Sequence, residues 1–189
     1  MNKRELRIEY TARRKNLSTA LCSQYNLQIY NHFFSNIDLS FIKVLHTYLP
    51  IEKNHEPDTW QILDRIKREF PQIRISVPRT AADETLENIY FEGLHQLKPN
   101  AWGISEPAQG VPTPADKIDL VLIPLLTFDK LGHRVGYGKG YYDRFLKDCG
   151  KNCQKIGLSF FEAVDRIDDV NEFDIRMNAC ITPSGFIVF

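Results

Sequence analysis

The sequence predicts a single α/β domain, spanning residues 1–189, with a mainly parallel central sheet flanked by helices and preceded by an N-terminal helical pair. Residues 120–123 form a short, continuously apolar run, which is typical of a strand buried on both faces of a parallel sheet. Between residues 44 and 77 the pattern is strand, helix, strand, and parallel neighbours need such a crossover. No linker or low-complexity stretch divides the chain, and its length suffices for one sizeable core.

Two helices are predicted before the first strand. The first covers residues 2–17, and Ser18 can N-cap a second helix that continues to about residue 34. Lys3, Arg7 and Arg14 fall within one narrow sector of the first helix, so we expect a basic face beside its buried face. In the second helix an apolar residue recurs at every fourth position. This spacing predicts a core-facing stripe of Leu21, Tyr25, Ile29 and Phe33.

The segments that follow predict the strands of the sheet and one more helix. Asp58 and Gln61 resemble a capping box and predict the start of that helix after the first strand. Residues 83–93 suggest a hairpin or an edge strand. Strands are predicted at residues 44–49, 73–77, 120–123, 155–160, 179–182 and 186–189, the last as an edge that follows a Pro-Ser-Gly turn.

The bulk composition argues against several classes of partner. Lysine and arginine total 24 residues and so do aspartate and glutamate, so the chain has no global field that would hold nucleic acid or an anionic membrane. No apolar run approaches the ~20 residues of a membrane span, and the N-terminus lacks the apolar stretch of a signal peptide. We expect a cytoplasmic monomer that binds small molecules and whose four cysteines are thiols.

The most informative segment, at residues 128–143, reads FDKLGHRVGYGKGYYD. Three glycines stand at alternate positions in it: Gly136, Gly138 and Gly140. This alternation would clear side chains from one side of an extended strip, so that backbone N–H groups approach a bulky anion. Arg134 and Lys139 would supply positive charge for phosphoryl oxygens, and Asp143 offers an oxygen that Mg²⁺ prefers. The following YYDRFLKD predicts a helix whose N-terminus faces the loop.

A plain glycine-rich surface hairpin is the alternative to a phosphate-binding loop. The hairpin is disfavoured because the segment is dense in cations, a carboxylate and aromatic residues, and a solvated turn needs none of them. The pattern is not a Walker loop, because Lys139 is followed by Gly140 and not by Ser or Thr. Nor does it have the G-x-G-x-x-G spacing of a dinucleotide fingerprint. We interpret the segment as another kind of phosphate-binding loop.

Residues 119–146, DLVLIPLLTFDKLGHRVGYGKGYYDRFL, resemble the signature of the 5-formyltetrahydrofolate cyclo-ligase family, also called 5,10-methenyltetrahydrofolate synthetases. That signature is a hydrophobic strand ending in Pro, then Phe-Asp, a Gly turn and R-x-G-x-G-x-G-Y-Y-D. Other landmarks of the family occur in order along nearly the whole chain. The resemblance implies ATP-dependent closure of 5-formyltetrahydrofolate to 5,10-methenyltetrahydrofolate, with Mg²⁺ accompanying ATP and with ADP and phosphate as products.

The resemblance also implies roles for individual residues. Lys3 and Arg7 match the family's Lys-x-x-x-Arg, which binds ATP phosphates, although such residues alone are more often a solvated helix face. The loop residues implied to bind ATP are Arg134, Val135, Gly136, Tyr137, Gly138, Lys139, Gly140, Tyr141 and Tyr142. Among them, Arg134, Lys139 and Tyr142 are the implied catalytic residues.

The folate end of the site is implied by shorter segments. Glu56 in HEPDTWQIL is similar to the family's E-(V/I)-(D/N)-T stretch, whose Glu binds the pterin. The alternative role for Glu56 is a favourable interaction of its carboxylate with the dipole of the helix that follows. Ile51 takes the place of an apolar substrate contact. Trp102 in WGISEP lies in a stretch similar to G-I-x-E-P, although a core or surface aromatic is the simpler reading. Tyr141 completes the implied substrate contacts.

Two departures from the family pattern bear on function. The usual Pro-Gly after the strand is Pro124-Leu125, which we expect to alter only packing. Asn178 in FDIRMNACIT replaces an Asp that helps to hold the metal in the family; with Asp143 it is an implied Mg²⁺ ligand that has lost its charge. Two alternatives therefore stay open at the level of sequence. One is a non-catalytic homologue that binds folate or nucleotide, and the other is a small-molecule kinase with the same loop.

Overall fold

The described chain begins with two α-helices and continues as a series of strands, into which two further α-helices are inserted. The structure, a computed structural model, describes residues 1–81, 85–101 and 103–189. The α-helices in these ranges are α1 (Lys3–Lys15), α2 (Thr19–Asn36), α3 (Trp60–Glu69) and α4 (Tyr141–Asp148). The strands are β1 (Val44–Thr47), β2 (Arg74–Thr80), β3 (Leu86–Tyr90), β4 (Leu97–Pro99), β5 (Ser105–Pro107), β6 (Leu120–Pro124), β7 (Thr127–Phe128), β8 (Arg134–Val135), β9 (Gln154–Leu158), β10 (Ala179–Thr182) and β11 (Gly185–Val188). No helix in the described ranges is both long enough and apolar enough to cross a lipid bilayer.

Seven of these strands form the central sheet, in the order β11-β10-β9-β6-β1-β2-β3. The five inner strands are parallel to one another, whereas β11 and β3 pair antiparallel at the two edges. Two small antiparallel pairs, β4 with β5 and β7 with β8, lie outside the sheet. The predicted single α/β domain with a mainly parallel sheet is therefore confirmed.

Both faces of the sheet are covered by helices. Leu120 and Leu122 of β6 pack in one hydrophobic cluster with residues of α1, α2 and α3, whereas Val121 and Ile123 pack in a second cluster with α4. Successive side chains of a strand point to opposite faces, so the two clusters lie on opposite sides of the sheet. Burial on both sides explains why this strand is apolar at every position.

The chain leaves β1 and β6 in opposite directions across the sheet. β1 continues through α3 to β2 on one side, and β6 continues through α4 to β9 on the other. The two strands are neighbours, with Leu45 opposite Leu120. A crevice opens beyond the carboxyl ends of strands at such a reversal, and open α/β sheets bind ligands there. The segments that the sequence singled out, around residue 56 and at residues 134–143, follow these two strands.

Two predictions about helix ends have different outcomes. Ser18 caps α2, since its hydroxyl accepts a hydrogen bond from Leu21 N at 3.2 Å. The capping box at Asp58 is wrong, because Thr59 is the N-cap residue of α3 and Asp58 Oδ1 accepts a hydrogen bond from Trp60 N. The edge strand expected within residues 83–93 is present as β3, and residues 82–84 lie outside the described ranges.

The predicted stripe of α2 is confirmed in its C-terminal half. Ile29 and Phe33 are buried in the core, whereas Leu21 and Tyr25 are only partly covered.

Candidate active site

The glycine-rich loop is not the extended strip that the alternation of glycines suggested. It follows β8, and within it Gly138 has φ +92° and Gly140 has φ +69°, whereas Gly136 does not have a positive φ. Residues with a Cβ atom rarely adopt such angles. Gly140 is also the N-cap of α4, so its backbone directs the chain into the helix. The loop is a turn built on two left-handed glycines, and the hypothesis of a straight strip is wrong.

Arg7 of α1 lies against this loop. Its Nε donates a hydrogen bond to the carbonyl oxygen of Gly136 at 3.0 Å. A Cβ atom on Gly138 would stand only 3.1 Å from Arg7 Cζ, so the guanidinium covers the bare backbone of that glycine. The second residue of the Lys-x-x-x-Arg pair is therefore a cation in contact with the loop.

Lys3, at the start of α1, is paired with a carboxylate and not with the loop. Its Nζ lies 2.5 Å from Asp174 Oδ2, and both side chains are largely buried. Its backbone N–H donates to Asp169 Oδ1 at 2.7 Å. The charge of Lys3 is thus compensated within the protein, and an anion that binds Lys3 has to share it with Asp174.

Arg134 and Asp143, which the sequence assigned separately to phosphate and to metal, are paired with each other. Arg134 Nη2 donates to Asp143 Oδ1 at 2.6 Å, and its Nη1 donates to the carbonyl oxygen of Ile175. The same carboxylate oxygen accepts a hydrogen bond from Ile175 N at 3.1 Å. The side chain of Arg134 is 6% exposed. This arginine therefore braces the first turn of α4 against the segment before β10.

The end of the loop and the first residues of α4 carry the remaining predicted side chains. Lys139 is exposed, and its carbonyl oxygen accepts a hydrogen bond from Arg144 Nη1 at 3.2 Å. Tyr141 is half-buried. Tyr142 packs against the ring of His46, and its hydroxyl is buried without a hydrogen-bond partner among the residues that the structure describes. Burial raises the pKa of Tyr142, so this hydroxyl remains a donor.

Glu56 is buried beside the loop, and both of its carboxylate oxygens accept hydrogen bonds. The hydroxyl of Tyr137 donates to Oε1 at 2.6 Å, and the backbone N–H of Ile51 donates to Oε2 at 2.7 Å. Burial raises the pKa of Glu56, and these two hydrogen bonds and the charge of Arg14 oppose that rise. Tyr137 therefore spans from the glycine-rich loop to the segment after β1.

Arg14 is buried, contrary to the expectation of an exposed basic face. It is 2% exposed; Nη1 donates to the hydroxyl oxygen of Tyr137 at 3.0 Å, and Nη2 donates to the carbonyl oxygen of Leu125. The sequence contained a signal for this position. Leu6, Tyr10 and Arg14 are spaced by four residues, and the first two are core residues, so the arginine belongs to the buried stripe.

A model of the 5-formyltetrahydrofolate cyclo-ligase family matches residues 1–183. The chain belongs to the 5-formyltetrahydrofolate cyclo-ligase family. A relative of that name from Mycoplasma pneumoniae is 29% identical over 183 residues, which are 96% of this chain and 98% of the relative. Another from Mycoplasma genitalium is 41% identical over 64 residues, which span 33% of this chain and 39% of the relative. The solved structure of a 5,10-methenyltetrahydrofolate synthetase from Mycoplasma pneumoniae has a TM-score of 0.77 at 27% identity, covering 96% of this chain and 98% of that one.

The family signature has glycine where this chain has Leu125, and the structure shows how the larger side chain fits. Leu125 is 1% exposed, and its Cδ2 would lie 2.6 Å from a Cβ atom on Gly157 of the neighbouring β9. Leu125 therefore fills the space that the missing side chain of Gly157 leaves. The departure is one of packing, and the contact with Arg14 uses only the main chain of Leu125.

Asn178, the other departure from the cyclo-ligase pattern, lies at the amino-terminal end of the parallel strands. Its Oδ1 accepts a hydrogen bond from Lys155 N at 2.8 Å, and its own N–H donates to Lys155 O. Asp143 follows the glycine-rich loop, beyond the carboxyl ends of the strands. This arrangement corrects the expectation of a shared metal site and favours a structural role for Asn178. Trp102, the implied substrate contact, lies outside the described residues.

The carboxylate of Asp143 was predicted from the sequence as a Mg²⁺ ligand, and its surroundings bear on that prediction. Within the described ranges, no group of three or more His, Cys, Asp or Glu side chains could hold a metal ion. The two hydrogen bonds that Asp143 accepts from Arg134 and Ile175 both use Oδ1, which leaves Oδ2 for a cation. Mg²⁺ usually binds proteins through one or two carboxylates and otherwise through substrate phosphates and water. One carboxylate oxygen without a protein partner in the described ranges fits an ion whose other ligands are phosphate oxygens and water.

Proposed function

We propose that this chain closes 5-formyltetrahydrofolate to 5,10-methenyltetrahydrofolate in an ATP-dependent reaction, with ADP and phosphate as co-products. The observation that carries the proposal is the hydrogen bond of 2.6 Å between Tyr137 and Glu56. It joins the loop of the cyclo-ligase signature to the carboxylate that the family resemblance assigns to the pterin. A phosphoryl group on the loop and a folate on Glu56 would be neighbours, as transfer between them requires.

The proposed chemistry begins with activation of the formyl group, because an amide oxygen is a poor leaving group. The formyl oxygen attacks the γ-phosphorus of ATP, and ADP leaves. N10 then attacks the activated formyl carbon, loses its proton, and phosphate leaves as the ring closes. The protein has to align the reacting atoms and neutralise the charge that spreads over the phosphoryl oxygens.

The cations of the crevice would divide this task. Lys139 is exposed at the loop and Arg7 is in contact with it, so both can meet phosphoryl oxygens directly. Lys3 would bind the same anion at the start of α1. Arg134 would act mainly by holding α4, whose first N–H groups face the loop and favour an anion. Mg²⁺ held by ATP and Asp143 would supply further positive charge to the phosphoryl oxygens.

The folate would bind on the β1 side of the crevice. Glu56 would accept hydrogen bonds from the amine and the ring N–H of the pterin, since a carboxylate offers two acceptor oxygens to a paired set of donors. The hydroxyl of Tyr142 is buried without a described partner, and an oxygen of the formyl region would satisfy it. Ile51, Tyr141 and Trp102 are the other proposed contacts.

The test is to incubate the purified chain with ATP, Mg²⁺ and 5-formyltetrahydrofolate and to follow both the near-ultraviolet absorbance of the methenyl product and the release of ADP. We expect one ADP for each product formed and no ADP without folate. Hydrolysis of ATP without folate would contradict the proposal. Phosphorylation of another acceptor would indicate a kinase, and binding of both ligands without turnover would indicate a non-catalytic homologue.

A labelled substrate tests the phosphorylated intermediate separately. If the formyl oxygen carries ¹⁸O, the proposed route transfers that oxygen to the released phosphate, and mass spectrometry of the phosphate detects it. Unlabelled phosphate with normal product formation would rule out attack by the formyl oxygen.

We also propose that the protein acts as a cytoplasmic monomer. The support for the monomer is that the loop and Glu56, which are joined through Tyr137, come from one chain. Light scattering during size-exclusion chromatography checks the oligomeric state.

A further inference from the structure

Arg14 is a buried cation that is linked to the carboxylate of Glu56 through Tyr137. Its guanidinium donates to Tyr137 and to the carbonyl oxygen of Leu125, while its Nε is buried without a hydrogen-bond partner in the described part of the chain. Within those residues Arg14 forms no salt bridge with a carboxylate. A buried charge of this kind is costly unless an opposite charge compensates it.

The compensating group is Glu56. The hydroxyl of Tyr137 accepts a hydrogen bond from Arg14 at 3.0 Å and donates one to Glu56 at 2.6 Å, so the three side chains form a continuous chain of hydrogen bonds. Chains of hydrogen bonds polarise one another in a low-dielectric interior, so each member favours the charge at the other end.

The other titratable groups that face Glu56 are tyrosines from the surrounding elements. Tyr48 follows β1, Tyr142 belongs to α4, and Tyr137 belongs to the loop; burial raises the pKa of each of them, and the charge of Glu56 raises it further. These phenols are neutral at physiological pH and supply no positive charge. The charge of the Arg14 guanidinium, by contrast, lowers the pKa of Glu56.

We propose that Arg14 is a positioning residue for folate recognition: through Tyr137 it orients Glu56 and keeps that side chain a carboxylate. The inference rests on the proposed function, in which Glu56 accepts N–H groups of the pterin. A protonated carboxyl group has an O–H in place of one acceptor, so it no longer matches two N–H donors. Arg14 does this without contact with the substrate.

The first experiment measures Glu56 in the ligand-free protein. The side-chain carboxyl carbon is followed by ¹³C NMR as a function of pH, and Glu56→Gln identifies its signal. We expect the midpoint to move to higher pH in Arg14→Met and in Tyr137→Phe. The matched control is Arg13→Met, because Arg13 is the neighbouring arginine of α1 but packs over the rings of Tyr10 and Phe161. An unchanged midpoint in the two test variants overturns the inference.

The second experiment measures binding of 5-formyltetrahydrofolate, without ATP, between pH 6 and pH 8. Wild-type affinity should vary little, whereas Arg14→Met should bind about tenfold more weakly at pH 6 and recover towards pH 8, since one pKa unit corresponds to a tenfold change. Arg14→Lys keeps the charge and should restore the wild-type pH profile. Equal weakening at every pH in both variants would show a purely structural role and overturn the inference.

The two experiments separate this inference from the proposed function. Failure of the wild-type protein to bind 5-formyltetrahydrofolate would contradict the proposed function. The NMR titration would still decide whether Arg14 keeps Glu56 ionised. Tyr137→Phe covers the case in which Arg14→Met does not fold, because Tyr137 is 41% exposed and the variant loses only a hydroxyl group.

Discussion

Replacing Gly138 with alanine should weaken nucleotide binding by about 10- to 30-fold. An alanine at φ +92° is strained by about 1–2 kcal/mol. Its Cβ would also stand 3.1 Å from Arg7 Cζ and 3.3 Å from Nε, so the guanidinium has to move. Movement weakens the hydrogen bond from Arg7 to Gly136 O, which contributes about 1 kcal/mol. The two costs sum to about 2–3 kcal/mol. Partial relaxation of the loop in the bound state removes some of this cost, which leaves about 1.4–2 kcal/mol, or 10- to 30-fold in affinity.

Calorimetric titration with a non-hydrolysable ATP analogue measures this loss, and Gly136→Ala is the matched control. Gly136 lies two residues away, does not have a positive φ, and has open space around the position of a Cβ atom. Its alanine variant should bind the analogue within about twofold of wild type, because neither strain nor contact arises. Equal losses in the two variants would refute this reasoning and would indicate that phosphate touches the backbone at both glycines. Wild-type affinity in Gly138→Ala would remove the loop from the nucleotide site.

Three further predictions follow from buried and exposed groups. Lys139→Ala should lower kcat by on the order of 10²-fold and leave the melting temperature unchanged. Arg134→Ala should lower both kcat and the melting temperature, because it breaks the ion pair with Asp143. Equal melting temperatures of the two variants would contradict the bracing role of Arg134. Burial lowers the pKa of His46 to about 3, so the folded state stays unprotonated while the unfolded state gains a proton below pH 6.5. Wild type should therefore lose about 2 kcal/mol more than His46→Leu between pH 7 and pH 5 in urea unfolding, and parallel losses would be the contrary result. Gly157→Ala should destabilise the fold by about 1–3 kcal/mol through overlap with Leu125, and less in a Leu125→Ala background; additive costs in urea unfolding would disprove that contact.

Short sequence patterns were sufficient to predict the strands, helix starts and turns that depend on neighbouring residues. The apolar run at residues 120–123, the serine before α2 and the Pro-Ser-Gly turn before β11 each predicted an element that the structure contains. Each depends on neighbours in sequence: a strand buried on both sides, a cap two to three residues from its partner, or a turn of a few residues. The family resemblance then identified the loop at residues 134–143, which composition alone did not assign to a reaction.

The partners of individual charges could not be predicted from the sequence, because they are set by tertiary contacts. The hydroxyl that Arg14 contacts is 123 residues away, and no spacing rule connects the two. Arg134 and Asp143 are nine residues apart, and both were interpreted as ligand contacts although they satisfy each other. For Asn178, by contrast, the sequence did indicate a position away from the loop, because Asn178 directly precedes a predicted parallel strand. A residue directly before a parallel strand lies at the opposite edge of the sheet from a loop that follows a parallel strand.

The ion pair between Lys3 and Asp174 has a consequence for how the proposed nucleotide site responds to ionic strength. A phosphate that takes the place of Asp174 exchanges one ion pair for another, so the number of ion pairs at Lys3 does not change. Arg134 is already paired with Asp143 in the same way. The long-range attraction that steers an anion towards exposed cations is therefore reduced at both residues. Nucleotide affinity should fall with added salt less steeply than the four cations of the crevice suggest, with Arg7 and Lys139 carrying most of the dependence.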